Sequence, residues 1–560
     1  MDQSELDRVI GLVAERFPEH RVGASYEVPS NFGGILIPPK SVLEIGRFIK
    51  GEFPQLVDIF AVDSGQLVDR FCLYYLWSNP DRGLKICLKT KLGIGESLPS
   101  ISSLNAGASW MEREVIDMFG VIFDSHPDSR RLYYPKSFGH YPLRKDFSWS
   151  ELEKDQILAS GVSESDDEIN FQHLDERPHS KMYFGPEHPV THGAVGITLA
   201  VDGDLVLGAD VEVGFQHKGF EKLAEGFHYE NIISLAERIN IYSPLISAHG
   251  WCRLVEQVFD IVVPMRAQAV RMVLDELSRI KEHFIYLENI LSQVGISFEI
   301  CRQIEEEIFQ TFKQLGAQNP IPSLSRIGGV KVDIDNKMRN KIFQLLNVSK
   351  ETCALIDKLV VKSTSFRSRT MGLAPLNSDL AISYSVTGPN ARASGIKHDI
   401  RRDFPYDLYS QVDFDLPLGA NGDALDRFCV RLEEIHESSR IIRSLLNDMP
   451  AGPLFPKDCQ FFLGGSGSPS HLADLIQAFM HVVEGPKGKA GEFYGSCEAP
   501  SGEFGFAIVS HGEASPYRVR CRPPDIGIVQ LYNRLVYETS LESSLLILTS
   551  IHCLGGSLDR

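Results

Sequence analysis

Two histidines four positions apart, His188 and His192, sit in the turn Gly185-Pro186-Glu187-His188-Pro189-Val190-Thr191-His192-Gly193, which runs into an alternating segment, Ala194 to Val206. Imidazole gains or loses a proton near neutral pH. A turn stiffened by prolines and ending on a strand is a rigid mount for such a group. The pattern suits a proton donor presented to a pocket. Alone, it equally fits histidines that only hydrogen-bond their own loop.

Other polar constellations follow. Glu112-Arg113-Glu114 and Asp117 precede His126 and Arg130-Arg131-Leu132, a density of opposite charge that reads as a loop locked by arginine–carboxylate pairing or as a docking surface. Glu276, Arg279 and His283 step by three and four, which places them on one stripe of a helix, either solvated or part of an internal network. Arg326-Ile327-Gly328-Gly329-Val330 and Arg392-Ala393-Ser394-Gly395 lack the spacing of a nucleotide-binding loop. The ten cysteines include no CxxC pair, which removes zinc ribbons, thioredoxin-like sites and a local iron–sulfur ligand set.

The elements that must carry these groups divide the chain. Residues 1–148 read as an α+β unit, with helices at Ser4 to Phe17 and Val42 to Phe48 and strands at Gly34–Ile37, Leu56–Asp63, Phe71–Trp77 and Leu84–Lys91. Residues 149–180 are polar and acidic and read as a linker. From 181 to 560 the pattern is mainly helical. Ala267 to Leu291 and Ala424 to Leu446 are long amphipathic helices of a bundle core, and Gly502 to Arg520 alternates like a β-hairpin.

At 560 residues the chain is too long for one core. A net charge of −18 with no basic cluster argues against a nucleic-acid surface. No apolar run approaches the roughly 18 residues of a spanning helix, and the acidic start, Asp2 to Asp7, is unlike a signal peptide. A protein of the cytoplasmic side, with a peripheral membrane partner allowed, is the expectation.

The motifs resemble those of two families. Glu112-Arg113-Glu114 through Arg130-Arg131-Leu132 resembles the signature of the C-type subunit of NADH–quinone oxidoreductase, respiratory complex I. Residues 185–560 resemble its D-type subunit, through the His188 turn, Gly214-Phe215-Gln216-His217-Lys218-Gly219-Phe220-Glu221-Lys222, the Arg326 and Arg392 motifs, Glu498-Ala499-Pro500-Ser501-Gly502-Glu503, Pro516-Tyr517-Arg518 and Leu558-Asp559-Arg560. The chain therefore resembles a fused C/D subunit. The resemblance implies a second domain folded like the large subunit of nickel–iron hydrogenases. It implies a place in the peripheral arm on the cytoplasmic side of a bacterial inner membrane, beside B-like and I-like partners and a membrane-arm H-like partner. It also implies that quinone is the substrate, that this chain holds no metal, and that the last iron–sulfur cluster lies in a neighbour. His192 and Tyr242 take the roles of quinone partners and proton donors, His188 and His217 support the turn, and Arg238 lies near the neighbour's cluster.

The sequence departs from that family at three places. The expected tyrosine position holds Ile241, with Tyr242 one place late, which on a helix turns a side chain by about 100°. The expected aspartate and histidine fall at Gln293 and near Ile321. Two other readings compete with it, and the ligand requirement decides the first. A membrane-bound nickel–iron hydrogenase needs four thiolates, and its ligand positions hold Asn240, Ser243, Leu554 and Ser557, so nickel–iron chemistry is excluded. A divergent, non-quinone or non-catalytic relative in a hydrogenase-related membrane complex is the alternative.

Overall fold

The computed structural model describes residues 3–18, 23–24, 33–66, 68–148, 177–191, 195–317, 324–457 and 483–560, together with positions 461, 476, 479 and 480. His192, Ile321 and most of the segment 149–180 lie outside the described residues.

The first region is built on a five-stranded sheet of order β1-β2-β5-β4-β3, formed by β1 (Gly23–Ala24), β2 (Gly33–Leu36), β3 (Gln55–Asp63), β4 (Phe71–Asn79) and β5 (Leu84–Leu92). Helices α1 (Gln3–Arg16), α2 (Val42–Glu52) and α3 (Ala108–Phe119) accompany it. β3 is buried along its whole length, because successive side chains leave on opposite faces and both faces are covered. Leu56, Ile59 and Ala61 join the core shared with the helices, whereas Val57, Phe60 and Val62 pack against Tyr494 and Ala507. A register shift between Leu56 and Asp58 keeps Leu56 on the helix side.

The charged stretch from Glu112 to Phe119 is not a turn but α3. Trp110, Met111, Val115, Met118 and Phe119 recur at helical steps and bury one face, and Gly120 ends the helix at φ 68°.

Among its described residues, the remainder of the chain holds a three-stranded sheet of β6 (Ser180–Phe184), β7 (Gly196–Asp202) and β8 (Leu205–Glu212), then six long helices. These are α4 (Pro244–Val258), α5 (Met265–Gln293), α6 (Glu299–Gln314), α7 (Asn336–Ile356), α8 (Ala424–Asn447) and α9 (Leu541–Ile551). The expected hairpin is two strands of a three-stranded meander, β9 (Gly491–Ala499), β10 (Gly502–Ser510) and β11 (Arg518–Arg522). Gly491, Gly495 and the polar residues Glu492, Ser496 and Glu498 hide β9 from a hydrophobic pattern.

Helix α5 packs along α8 and is buried nearly all round from Ala269 to Leu287. Its polar stripe therefore faces protein. Glu276 accepts from Ser438 Oγ at 2.6 Å and Tyr409 Oη at 2.6 Å, and pairs with Arg401 at 3.1 Å. His283 Nε2 lies 2.9 Å from Glu434 Oε2.

The two regions share one apolar cluster, in which Val115, Phe119 and Leu132 pack with Val195, Ile526 and Leu558. Arginines at alternate positions of β11 reach back to β3. Arg518 Nε donates to the Ala61 carbonyl at 3.2 Å, Arg520 Nε to Asp58 Oδ2 at 2.8 Å, and Arg522 Nε to the Val57 carbonyl at 3.1 Å. No helix among the described residues is long and apolar enough to cross a membrane.

Candidate functional site

Of the motifs read as candidates, the 214–222 loop and the terminal Leu558-Asp559-Arg560 form one structure. The Asp559 carboxylate accepts from Gly214 N at 2.8 Å and Gln216 N at 2.7 Å. His217 Nδ1 lies 2.5 Å from the Asp559 carbonyl oxygen, which can only accept, so this nitrogen carries the proton. The His217 ring stacks on Tyr133 at 5.2 Å and meets Tyr134 edge-on at 5.3 Å. Burial lowers its proton affinity, and the fixed ring serves as a structural wedge between the two regions. Arg560 pairs with Glu114 of α3 and with Glu221, and Tyr133 Oη donates to the Leu558 carbonyl at 3.0 Å. Gly556 is required beside this turn, because a Cβ there would lie 2.6 Å from the Ile239 carbonyl.

Arg238 follows the short helix Ile232–Ala236 and is exposed, and Lys218 Nζ donates to its carbonyl at 3.1 Å. Phe215, Phe227 and Ile241 are also exposed. Phe227, Ile233, Leu235 and Arg326 line a cavity of about 400 Å³.

The segment Ile241–Ser243 is a bend before α4 rather than a helix. The expected 100° rotation therefore does not describe the change. Ile241 is 64% exposed, and Tyr242 beside it is half-buried. Tyr242 N donates to Asn240 Oδ1 at 2.9 Å, and Lys281 Nζ donates to the Tyr242 carbonyl at 3.1 Å. Burial, then the charges of Glu282 and Glu305, raise the proton affinity of its phenol.

His188 keeps its turn. Its Nδ1 accepts from Val190 N at 3.3 Å, its carbonyl accepts from Thr191 Oγ1 at 2.7 Å, and its ring meets Phe184 edge-on. The turn Pro189–Thr191 packs on α9. Gln293 is the last residue of α5. Asn240 Nδ2 donates to Ser243 Oγ at 2.8 Å, so two of the positions where a hydrogenase needs thiolates hold an amide and a hydroxyl bonded to each other.

The Arg326 motif is a structural turn. Gly328, at φ 87°, donates its N–H to Glu256 Oε1 at 2.7 Å, and Arg271 binds the carbonyls of Arg326 and Gly329. Its amides are therefore not free to cradle a phosphate.

Two buried histidine sites are invisible in the sequence because their partners are remote. His249 on α4 lies 2.6 Å from Asp275 and 2.9 Å from Asp407. Burial opposes its charge, but the two carboxylates outweigh it and lift its pKa to about 9. His552, at the end of α9, stands 3.4 Å from Glu282.

The two regions are locked together by buried ion pairs, and Arg238, Phe215, Phe227 and Ile241 leave a cationic and apolar surface exposed. Comparison with known sequences names the family. The family described as respiratory-chain NADH dehydrogenase, 49 Kd subunit, matches residues 296–560, and that described as respiratory-chain NADH dehydrogenase, 30 Kd subunit, matches residues 35–153. The chain is 30% identical over 569 residues to the C/D subunit of NADH-quinone oxidoreductase from Bdellovibrio bacteriovorus, covering 100% of both proteins. It is 31% identical over 530 residues to the C/D subunit from Acidiphilium cryptum, covering 91% of this chain and 89% of that protein. It is 33% identical over 384 residues to the D subunit from Leptospira biflexa, covering 68% of this chain and 95% of that protein. The chain belongs to the fused C/D subunits of NADH–quinone oxidoreductase and is a component of that complex.

Proposed function

We propose that this chain forms most of the quinone-reduction pocket of its complex, beside a neighbouring subunit that carries the terminal iron–sulfur cluster, and that electron transfer there is coupled to ion translocation. The observation that carries this reading is the Tyr242 bend. Its backbone is tied to Asn240 and Lys281, so a phenol is held at a fixed depth next to the exposed Ile241. Reducing a quinone to a quinol takes two electrons and two protons, and a phenol and an imidazole at the headgroup polarise its carbonyls and supply protons. Tyr242 and His192 take those roles, with the His188 turn and the His217 wedge supporting them.

The face holding Arg238, Lys218, Phe215 and Phe227 is assigned to the B-like partner that bears the cluster. A fixed positive charge at Arg238 favours the reduced cluster and raises its potential. The I-like partner and the membrane-arm H-like partner complete the environment, on the cytoplasmic side of the membrane. The names of the relatives favour a quinone as acceptor over the non-quinone alternative.

The test is quinone reductase activity of the assembled complex with His192→Ala and Tyr242→Phe. Each is expected to lower kcat by about 10²-fold or more, in the range of a lost general acid. Wild-type rates in both variants sink the assignment.

A further inference from the structure

We propose that Glu282 and His552 together form a one-proton store for the pocket beside the Tyr242 bend, filled when electrons reach the quinone. This rests on the quinone reading above.

The pair is built from two elements far apart in sequence. His552 ends α9 in the left-handed region, at φ 57°, a conformation uncommon for a residue with a Cβ. Its ring lies edge-on to Tyr286 of α5, and its Nε2 stands 3.4 Å from Glu282 Oε1. Glu282 is fully buried and His552 is 5% exposed. Neither Nε2 nor Oε1 has a well-directed hydrogen bond. Buried polar atoms left in this way in a native structure call for a functional explanation.

One amide joins the pair to the site. Asn240 Nδ2 donates to Glu282 Oε2 at 3.3 Å and to Ser243 Oγ at 2.8 Å. Asn240 Oδ1 accepts from Tyr242 N at 2.9 Å and from Ser243 N at 3.2 Å. The same side chain thus holds the Tyr242 backbone and the carboxylate beneath it.

The surrounding charges set the resting state. Burial lowers the proton affinity of His552, with Arg431 acting in the same direction and Glu282 opposing it. Burial works to raise Glu282, but His552, Ser243 and His283 outweigh it and hold it below the usual carboxylate range. Lys281 lies beside both Tyr242 and Glu305, and Asp525 faces Glu282 from the segment after β11. With the carboxylate ionised and the imidazole neutral, the pair is one proton short of a closed ion pair.

Negative charge arriving on a bound quinone raises the proton affinity of a neighbouring buried group. Two electrons from the one-electron carriers of the neighbouring subunit reduce the quinone, and a solvent proton forms an N–H bond at His552. That bond then breaks, and the proton passes by Glu282 and the Ser243 hydroxyl to one quinone oxygen, forming an O–H bond and returning imidazole to its neutral state. The second quinol proton comes from one of the two headgroup partners, Tyr242 or His192, while the other polarises its carbonyl.

The experiment uses the assembled complex with decylubiquinone as acceptor between pH 6 and 9, comparing wild type with Glu282→Gln and His552→Gln. Glutamine at 282 still accepts from Asn240, so it removes the proton chemistry and keeps the contact. The expected result for both is a kcat lowered at least tenfold at pH 8, a KM within twofold of wild type and an alkaline limb displaced to lower pH. NADH oxidation by ferricyanide stays unchanged, and the exchanged pair Glu282→His with His552→Glu recovers part of the rate. Wild-type kcat and pH profile in both variants overturn the proposal while leaving the quinone reading intact. A loss that is equal at every pH also overturns it, as that is the mark of a structural role. A wild-type complex that reduces no quinone overturns the reading beneath it. Should Glu282→Gln fail to assemble, His552→Gln decides by the same criteria.

Discussion

Arg560, the last residue, donates through Nη2 to Glu114, a residue 446 positions earlier in α3. The contact is buried, and Arg520 of β11 reaches the same Glu114 oxygen. Glu221 accepts from both arginines as well, and the three arginines around it push its pKa down to about 2 against the effect of burial. The end of the chain is thus the pin between the two regions.

Removing Arg560 leaves Glu114 and Glu221 with less compensation in the interior. Breaking a buried pair by deleting one partner costs about 3–5 kcal/mol. Arg560→Ala is expected to lower thermal stability and yield of the assembled complex by that order, and Arg560→Lys by less. Equal melting temperatures for Arg560→Ala and wild type count against the pin.

Glu112 gives a pH dependence of known sign. Burial raises its pKa to about 8 from 4.5, although Ser100 and the Ile101 amide partly oppose the shift. Between these values the unfolded chain has lost its proton and the folded chain keeps it, so stability falls as pH rises, at up to about 1.4 kcal/mol per pH unit. Glu112→Gln retains an acceptor for Ile101 N and is expected to flatten the loss between pH 5 and 8. Chemical denaturation of both proteins at those two pH values checks it.

His249 behaves in the opposite range. Its folded pKa of about 9 exceeds the ordinary 6.5, so its contribution is complete below about pH 6.5 and lost as pH climbs through 9. His249→Gln leaves Asp275 and Asp407 facing each other in the core, and a loss of about 3–5 kcal/mol near pH 6 is expected. The difference from wild type narrows above pH 9. A difference that does not change with pH contradicts the charged triad.

Gly329 tests the Arg326 turn. A Cβ at this position would lie 1.9 Å from the Leu454 carbonyl, which is backbone and cannot swing aside. Gly329→Ala is expected to cost more than about 3 kcal/mol, among the large single-residue effects. Gly51→Ala, with open space at its Cβ, is the control and leaves stability within about 0.5 kcal/mol.

The strands of the first region and the two long helices α5 and α8 were legible because their apolar residues repeat with the period of the element. β9 was not, since its glycines break the alternation and its buried glutamates are satisfied by remote partners, Glu492 by Tyr74 at 2.7 Å and Glu498 by Arg392 at 2.8 Å. The 214–222 loop and the terminal tripeptide were legible as motifs, but nothing in their spacing told that Asp559 caps the loop. The pairs His249–Asp407 and Glu282–His552 were hidden for the same reason: each joins residues more than a hundred positions apart through tertiary packing alone. Ile241 was read from its place in a helix, and the bend before Pro244 replaces that geometry.

Ile241 is where the family resemblance and the structure make their sharpest joint claim. The side chain is 64% exposed, so replacing it by tyrosine buries nothing new and is expected to change stability by less than about 0.5 kcal/mol. If the pocket surrounds this bend, Tyr242 is the phenol that serves it in wild type. Tyr242→Phe then slows quinone reduction, and Ile241→Tyr in that background restores at least part of the rate by placing a phenol on the exposed side. The double variant isolates the phenol from the packing of the Tyr242 ring, because phenylalanine keeps the ring. Steady-state quinone reduction by the three complexes, each normalised to NADH oxidation by ferricyanide, reads the outcome. A double variant no faster than Tyr242→Phe places the reacting quinone away from this bend.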